Sequence, residues 1–150
     1  MTAETLRVVI ATVLLLHGVA HLVALGALVA ILVGVHTPTG PVLRLWALPM
    51  LSTRTAALAG ALLWAAAATG FLGGAGAIWG LWLDALAWRP LSSGAAMISL
   101  LGMAVFVGTW PGSPSRNRSA LNSAIAVLVD GIILAAVVCL RWPPLELLGR

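Results

Sequence analysis

Residues 6–34 read LRVVIATVLLLHGVAHLVALGALVAILVG, an apolar run without a charged residue after Arg7. At about 1.5 Å of rise per residue, it exceeds the roughly 20 residues that a helix needs to cross the hydrocarbon core of a bilayer. It is also longer than the apolar region of a signal peptide, so we interpret it as a retained span. The rest of the chain is expected to pack around this first membrane-spanning helix.

The composition predicts one membrane domain over residues 1–150. Hydrophobic residues make up 61% of the chain and charged residues 8%, whereas soluble domains average about 25% charged. The eight basic residues are all arginines placed singly near segment ends, as membrane-flanking anchors are. Nucleic acid is not an expected partner, because the arginines form no basic patch. The single cysteine, Cys139, excludes an intrachain disulfide and a CxxC pair.

Four apolar segments predict an all-α integral membrane four-helix bundle with spans at about 6–34, 55–74, 91–110 and 119–141. No sheet is expected, because an open sheet edge cannot face lipid. Ser52 or Thr53 is placed to cap the second helix. The tryptophan-rich segment that follows predicts an interfacial helix over 78–88 that ends before Pro90, and a second one is predicted over 42–48. Three glycines are expected to loosen the chain after the second span, namely Gly73, Gly74 and Gly76.

An even number of spans places both termini on one side of the membrane. The arginines divide four against four between the two sides, so the positive-inside rule selects no orientation. His36, at the start of the first long loop, lies too far along the helix axis to partner the histidines of the first span. It is predicted to be a solvated loop residue.

Three ionisable residues are predicted to lie near the bilayer centre. His17 and His21 are four apart, so they share one face of the first helix. Asp130 falls at the midpoint of the fourth span, at a similar depth. An unpaired Asp at that depth costs about 2.5–3.5 kcal/mol or more. We therefore expect its carboxylate within about 4 Å of an imidazole nitrogen, directly or through one ion or water, with Ser99 and Trp64 as neighbouring hydrogen-bond donors.

Several chemistries are compatible with these residue types. His17, His21 and Asp130 match the ligands of a zinc, copper or iron ion. One histidine is alternatively an axial haem ligand, with Met97 or Met103 from another helix. In a third interpretation the groups hydrogen-bond one another and fix packing. Proton relay and small-molecule binding also use His–Asp pairs.

Short motifs along the chain resemble those of a group of small uncharacterised bacterial four-helix membrane proteins. The HGxxHL motif comprises His17, Gly18, His21 and Leu22. An arginine, Arg54, precedes the Ala/Leu-rich second helix. The remaining motifs are Trp88-Arg89-Pro90, Ser99-Leu100-Leu101, and Asn122 or Asp130 in the fourth helix. In size and architecture the chain is also similar to DoxX-like proteins, some of which are accessory subunits of respiratory enzymes.

The resemblance implies a multi-pass protein of the bacterial inner membrane. Two functional classes are expected. In the first, an intramembrane His/Asp site binds a metal or haem in a redox-type role. In the second, the chain is a non-catalytic accessory subunit that packs against a larger membrane complex. The lipid bilayer and other membrane subunits are the expected partners.

Overall fold

Every regular element of the described chain is helical. The computed structural model describes residues 2–35, 50–81, 83–107 and 109–144. Four long helices follow one another: α1 (Ala3–Leu32), α2 (Thr53–Trp79), α3 (Trp88–Val105) and α4 (Arg116–Leu134). A 3₁₀ turn, Ala85–Ala87, precedes α3, and one π-helical segment, Ala135–Cys139, extends α4. The predicted all-α class and the four helices are confirmed.

Hydroxyl side chains begin three of these helices. Thr2 accepts a hydrogen bond from Thr5 N, Ser52 from Thr55 N, and Ser115 from Arg118 N. Each bond satisfies one of the backbone N–H groups that a helix leaves unpaired in its first turn. Ser52 is therefore the cap of α2, one of the two candidates that the sequence offered.

The prediction that Gly73, Gly74 and Gly76 loosen the chain was wrong. All three lie within α2, which continues to Trp79. Gly74, like Gly70 earlier in the same helix, allows close packing instead. A Cβ atom at Gly74 would lie 2.5 Å from Ser92 Oγ, and one at Gly70 would lie 2.8 Å from Ala95 Cβ. Glycine is retained here because α3 occupies the space that any side chain would need.

The prediction of an interfacial helix over 78–88 was also wrong. Ile78 and Trp79 are the last residues of α2, and Trp88 already belongs to α3. Pro90 does not end a helix but lies in the first turn of α3, where its missing N–H has no helical partner to lose. The other interfacial helix predicted over 42–48, the loop histidine His36 and Trp82 lie outside the described residues.

The helices pack in chain order, each antiparallel to the one before. Gly18 lies against Phe71 and Leu72 and Gly60 against Leu28, while Gly102 lies against Trp64. Close backbone packing joins α1 to α2, α2 to α3, and α3 to α4, whereas the backbones of α1 and α4 approach each other closely at few positions. The backbones of α1 and α4 therefore lie farther apart than those of consecutive helices, and we call the line along which their side chains meet the α1–α4 seam.

In the described part of the chain, three helical segments are long and apolar enough to cross a membrane: Ala3–Leu32, Thr53–Trp79 and Arg116–Cys139. The predicted third span is not among them by composition, because the 18 residues of α3 include Arg89, Pro90 and three serines. Only 17% of the apolar window in Arg116–Cys139 is buried inside the protein. That helix therefore presents most of its apolar surface outward.

Candidate functional site

A buried histidine–aspartate pair bridges the α1–α4 seam. His17 Nε2 lies 2.8 Å from Asp130 Oδ1, although the two residues are 113 positions apart in the chain. The side chains are 8% and 0% exposed, respectively. The contact expected between the Asp130 carboxylate and an imidazole is thus present, and His17 is the partner. The second carboxylate oxygen, Oδ2, is buried and has no hydrogen-bond partner among the described residues.

His21 is held in one tautomer by a different set of partners. Its Nδ1 lies 2.9 Å from the carbonyl oxygen of His17, and its Nε2 lies 2.9 Å from Ser99 Oγ. A carbonyl oxygen can only accept, so Nδ1 carries the proton. In the neutral ring Nε2 then accepts from the Ser99 hydroxyl. Both nitrogens of His21 are engaged, and Ser99 contacts this ring as a donor next to the site, as expected.

Two aromatic residues that the sequence reasoning did not assign to the site pack against the imidazoles. The Phe71 ring centroid lies 4.6 Å from that of His17 and 5.4 Å from that of His21, and the Trp110 ring lies 5.7 Å from His21. One signal for Phe71 was available. It follows Trp64 by seven positions, so the two bulky rings share a face of a helix otherwise rich in Ala and Gly.

Gly18, inside the HGxxHL motif, sets how closely α2 approaches the histidines. A Cβ atom there would lie 3.0 Å from the side chain of Leu72 and 3.2 Å from Phe71 Cβ. The glycine therefore lets Phe71 reach both rings. The motif combines two imidazoles on one face with the small residue that allows an aromatic ring to cover them.

A cavity of about 330 Å³ adjoins the pair, and we call it the His17 cavity. His17 is its ionisable lining residue, and Asn122 is a second polar one. Asn122 Nδ2 also donates to Ser113 Oγ, at 3.2 Å. The remaining lining residues are Ala20, Val23, Trp110, Ile125 and Ala126. The cavity lies between α1 and α4 and reaches the surface, because its lining residues Val23 and Ile125 are 68% and 52% exposed.

The residues predicted to bind a metal or haem do not come together as one ligand set. Among the described residues, no group of three or more His, Cys, Asp and Glu side chains is placed to hold a metal ion. His21 has no free lone pair, since Nε2 accepts from Ser99. Met103 is buried in a core cluster with Trp64 and Phe106, and Met97 is 62% exposed.

Trp64, expected to donate a hydrogen bond near the site, has another role. Its indole Nε1 is buried without a partner in the described part of the chain. The ring packs against Phe106 and Trp110, with centroid distances of 5.6 and 6.3 Å. Trp64 therefore supports the site through the packing of Trp110 and not through a hydrogen bond.

Removing the Ser99 hydroxyl should destabilise the protein. In the Ser99→Ala variant, His21 Nε2 stays buried without a donor, so we expect the free energy of unfolding to fall by about 1–3 kcal/mol. Ser93→Ala is the matched control, because the Ser93 hydroxyl bonds only to carbonyl oxygens of its own helix turn. Equal stability of the two variants, measured by SDS titration in bicelles, would show that the Ser99–His21 bond contributes nothing.

Comparisons with protein-family models, with curated proteins and with solved structures give no match for this chain. The resemblance to small four-helix membrane proteins, and to DoxX-like proteins in architecture, therefore stays a prediction from short motifs. The functional argument consequently rests on the geometry of the His17–Asp130 site.

Proposed function

We propose that the chain is an integral membrane protein, of the bacterial inner membrane, whose His17 cavity binds a small lipid-soluble molecule and exchanges a proton with it. The observation that carries the proposal is a cavity beside a buried imidazole–carboxylate pair. His17 lines that cavity while its Nε2 is held by Asp130. The apolar helices and the opening along the α1–α4 seam are what access from lipid requires.

The pair has the arrangement of a general base. With the proton on Nε2 donated to the carboxylate, Nδ1 of His17 keeps its lone pair, and it makes no hydrogen bond with the described residues. A ligand hydroxyl can donate to that lone pair. If the proton transfers, the adjacent carboxylate stabilises the imidazolium that results, so Asp130 both orients the ring and balances its charge.

The cavity favours a flat ring with a hydroxyl or carbonyl group. Trp110 provides an aromatic wall, and Asn122 provides an amide that can bond a second polar atom. A quinol combines these features with solubility in lipid, and its hydroxyl can donate to Nδ1 of His17. Binding of a quinol with transfer of that hydroxyl proton to His17, without a change in the oxidation state of the quinol, is therefore the form of the proposal that we develop. It requires no metal ligand at His21.

Binding of decylubiquinol to the purified protein tests this function. We expect saturable binding in isothermal titration calorimetry, weakened by roughly tenfold or more in Val23→Trp, which fills the cavity. Val23 is 68% exposed, so the substitution leaves the core intact. Leu16→Trp is the matched control, because Leu16 is 64% exposed on the same helix and does not line the cavity. Equal affinities in the two variants would contradict the proposal.

An absorption spectrum and metal analysis of the same sample test the metal and haem forms of the function. Stoichiometric zinc, copper or iron that is lost in Asp130→Asn, or a Soret band, would replace the quinol proposal with a metal or haem site. The geometry does not favour either, because His21 would first have to give up its bond to Ser99.

An accessory-subunit role is the second candidate, and the exposed face of α4 is the surface that it would use. Leu121, Leu128 and Ile132 are 59%, 63% and 59% exposed along that helix. Lipid covers such a surface as well as a larger subunit does. Absence of ligand binding, together with a stable complex with one defined membrane protein at fixed stoichiometry, would support this role over the first.

A further inference from the structure

A second opening along the α1–α4 seam has a different chemistry from the His17 cavity. It is an apolar cleft of about 230 Å³ on the side of the His17–Asp130 pair where α1 begins and α4 ends. Val9 and Val13 of α1 line one wall, and Ile132 and Ala136 line the other. Trp88 and Trp142 lie at its end, and every residue that lines it is apolar.

Three arginines belong to this end of the bundle, each next in sequence to a residue that lines the cleft. Arg7 follows Leu6, Arg89 follows Trp88, and Arg141 precedes Trp142. The Arg89 guanidinium lies 5.7 Å from the centre of the Trp88 ring. Its Nη2 donates to the backbone oxygens of Arg141 and Pro143, so it ties the start of α3 to the segment after α4.

None of these three arginines forms a salt bridge with a carboxylate of the described residues. The salt-bridge contact in the described part of the chain joins His17 to Asp130, at the middle of the bundle. Two acids lie at the same end. Asp84 accepts from Leu86 N, and Glu4 is exposed in the first turn of α1. Arg7 Nη2 donates to the carbonyl oxygen of Ile78, which leaves its other N–H groups for an anion.

We propose that the cleft binds one acyl chain of an anionic phospholipid whose phosphate lies against Arg7, Arg89 and Arg141. The proposal rests on the membrane location proposed above. Guanidinium groups pair with phosphate oxygens through several parallel N–H bonds, and basic pockets between membrane helices select anionic headgroups. The acyl chain fills the space between α1 and α4, and it supplies van der Waals contacts that the residues lining an empty cleft would lack.

The lipid acts as a structural ligand of the seam. It contacts α1 and α4 on the side of His17–Asp130 away from the His17 cavity, so the two sites take different molecules. Headgroup charge supplies the selectivity and the acyl chain supplies the apolar contact. A zwitterionic lipid with the same acyl chains offers the same apolar contact, but its headgroup carries no net charge and so lacks the selective interaction.

Native mass spectrometry of the detergent-purified full chain tests the proposal with two lipids of identical acyl chains. We expect phosphatidylglycerol to bind one per chain and phosphatidylcholine to bind roughly tenfold more weakly. Arg7→Gln with Arg141→Gln should remove most of this preference. Arg54→Gln with Arg116→Gln, at the opposite end of the bundle, should preserve it. Arg89 is left in place because it holds two backbone carbonyls.

A pair of tryptophan variants locates the acyl chain. Val9→Trp fills the cleft and should abolish the saturable binding. Val8→Trp should not, because Val8 is similarly exposed (51% against 47%) but does not line the cleft. Equal binding of the two lipids, or full binding in Val9→Trp, would overturn the proposal. Either result would leave the proposal of quinol binding in the His17 cavity unaffected, and decylubiquinol binding would show this. Extraction of the protein from membranes by alkaline carbonate would instead overturn the membrane location on which both proposals rest.

Discussion

The His17→Leu variant should lose about 3 kcal/mol of its free energy of unfolding, the largest effect that we expect from one polar substitution. Leucine is close to histidine in size, so packing against Phe71 is largely kept. What is lost is the hydrogen bond to Asp130. The carboxylate, already 0% exposed and with Oδ2 unpartnered, would then be buried with neither oxygen bonded. SDS titration in bicelles, followed by circular dichroism, measures the change.

A second substitution should rescue this variant. In His17→Leu/Asp130→Leu the buried charge is gone, and apolar replacement of both members of a buried pair is commonly near neutral for stability. We therefore expect the double variant to recover most of the lost stability. Val19→Leu, on the exposed side of the same helix, is the control for a new leucine in α1. If the double variant is as unstable as His17→Leu, the pair does not couple the two helices.

The Gly70→Leu variant should also unfold more easily, by about 3 kcal/mol, because it separates two closely packed helices. A Cβ atom at this position would already lie 2.8 Å from Ala95 Cβ and 3.0 Å from the carbonyl oxygen of Leu91. The second contact is with backbone and cannot be relieved by a rotamer change. Accommodation of leucine therefore requires α3 to move away from α2 along its length.

Gly94→Leu is the matched control for this variant. It also lies within a helix, but a Cβ atom there meets nothing within 4 Å. We expect its stability to be unchanged or raised by up to about 1 kcal/mol, because glycine is a poor helix former. The same SDS titration compares the two. Equal stabilities would mean that the α2–α3 interface is loose enough to absorb a side chain.

The sequence could predict how far along its helix each residue of the site lies. His17, His21 and Asp130 were placed at the same level from the midpoints of their apolar segments, and the contact follows from that. Which histidine meets Asp130 was not predictable, because both share one face of α1. The choice depends on how α1 is shifted along its axis and rotated about it relative to α4. Gly18 against Phe71 and Leu72 helps to fix that placement, through a contact between residues more than 50 positions apart.

The errors in the fold have a common physical origin. A glycine can mark a flexible turn or a close helix contact, and local sequence does not distinguish the two. At Gly74 the distinction is made by Ser92 of α3, whose Oγ occupies the place of a side chain. Likewise, Pro90 is compatible with a helix end or with a first helical turn. The structure places it in the turn because α3 begins at Trp88.

The order in which the helices pack has a consequence for biosynthesis. Each helix lies on its predecessor, so α2 and α3 can dock onto the part of the chain already made as soon as they leave the ribosome. His17 cannot meet its partner until α4 arrives, 113 residues after it in the chain. A nascent chain that has made only its first three helices therefore holds His17 without its carboxylate partner. A product truncated before α4 lacks Asp130, so its His17 side chain stays without that partner.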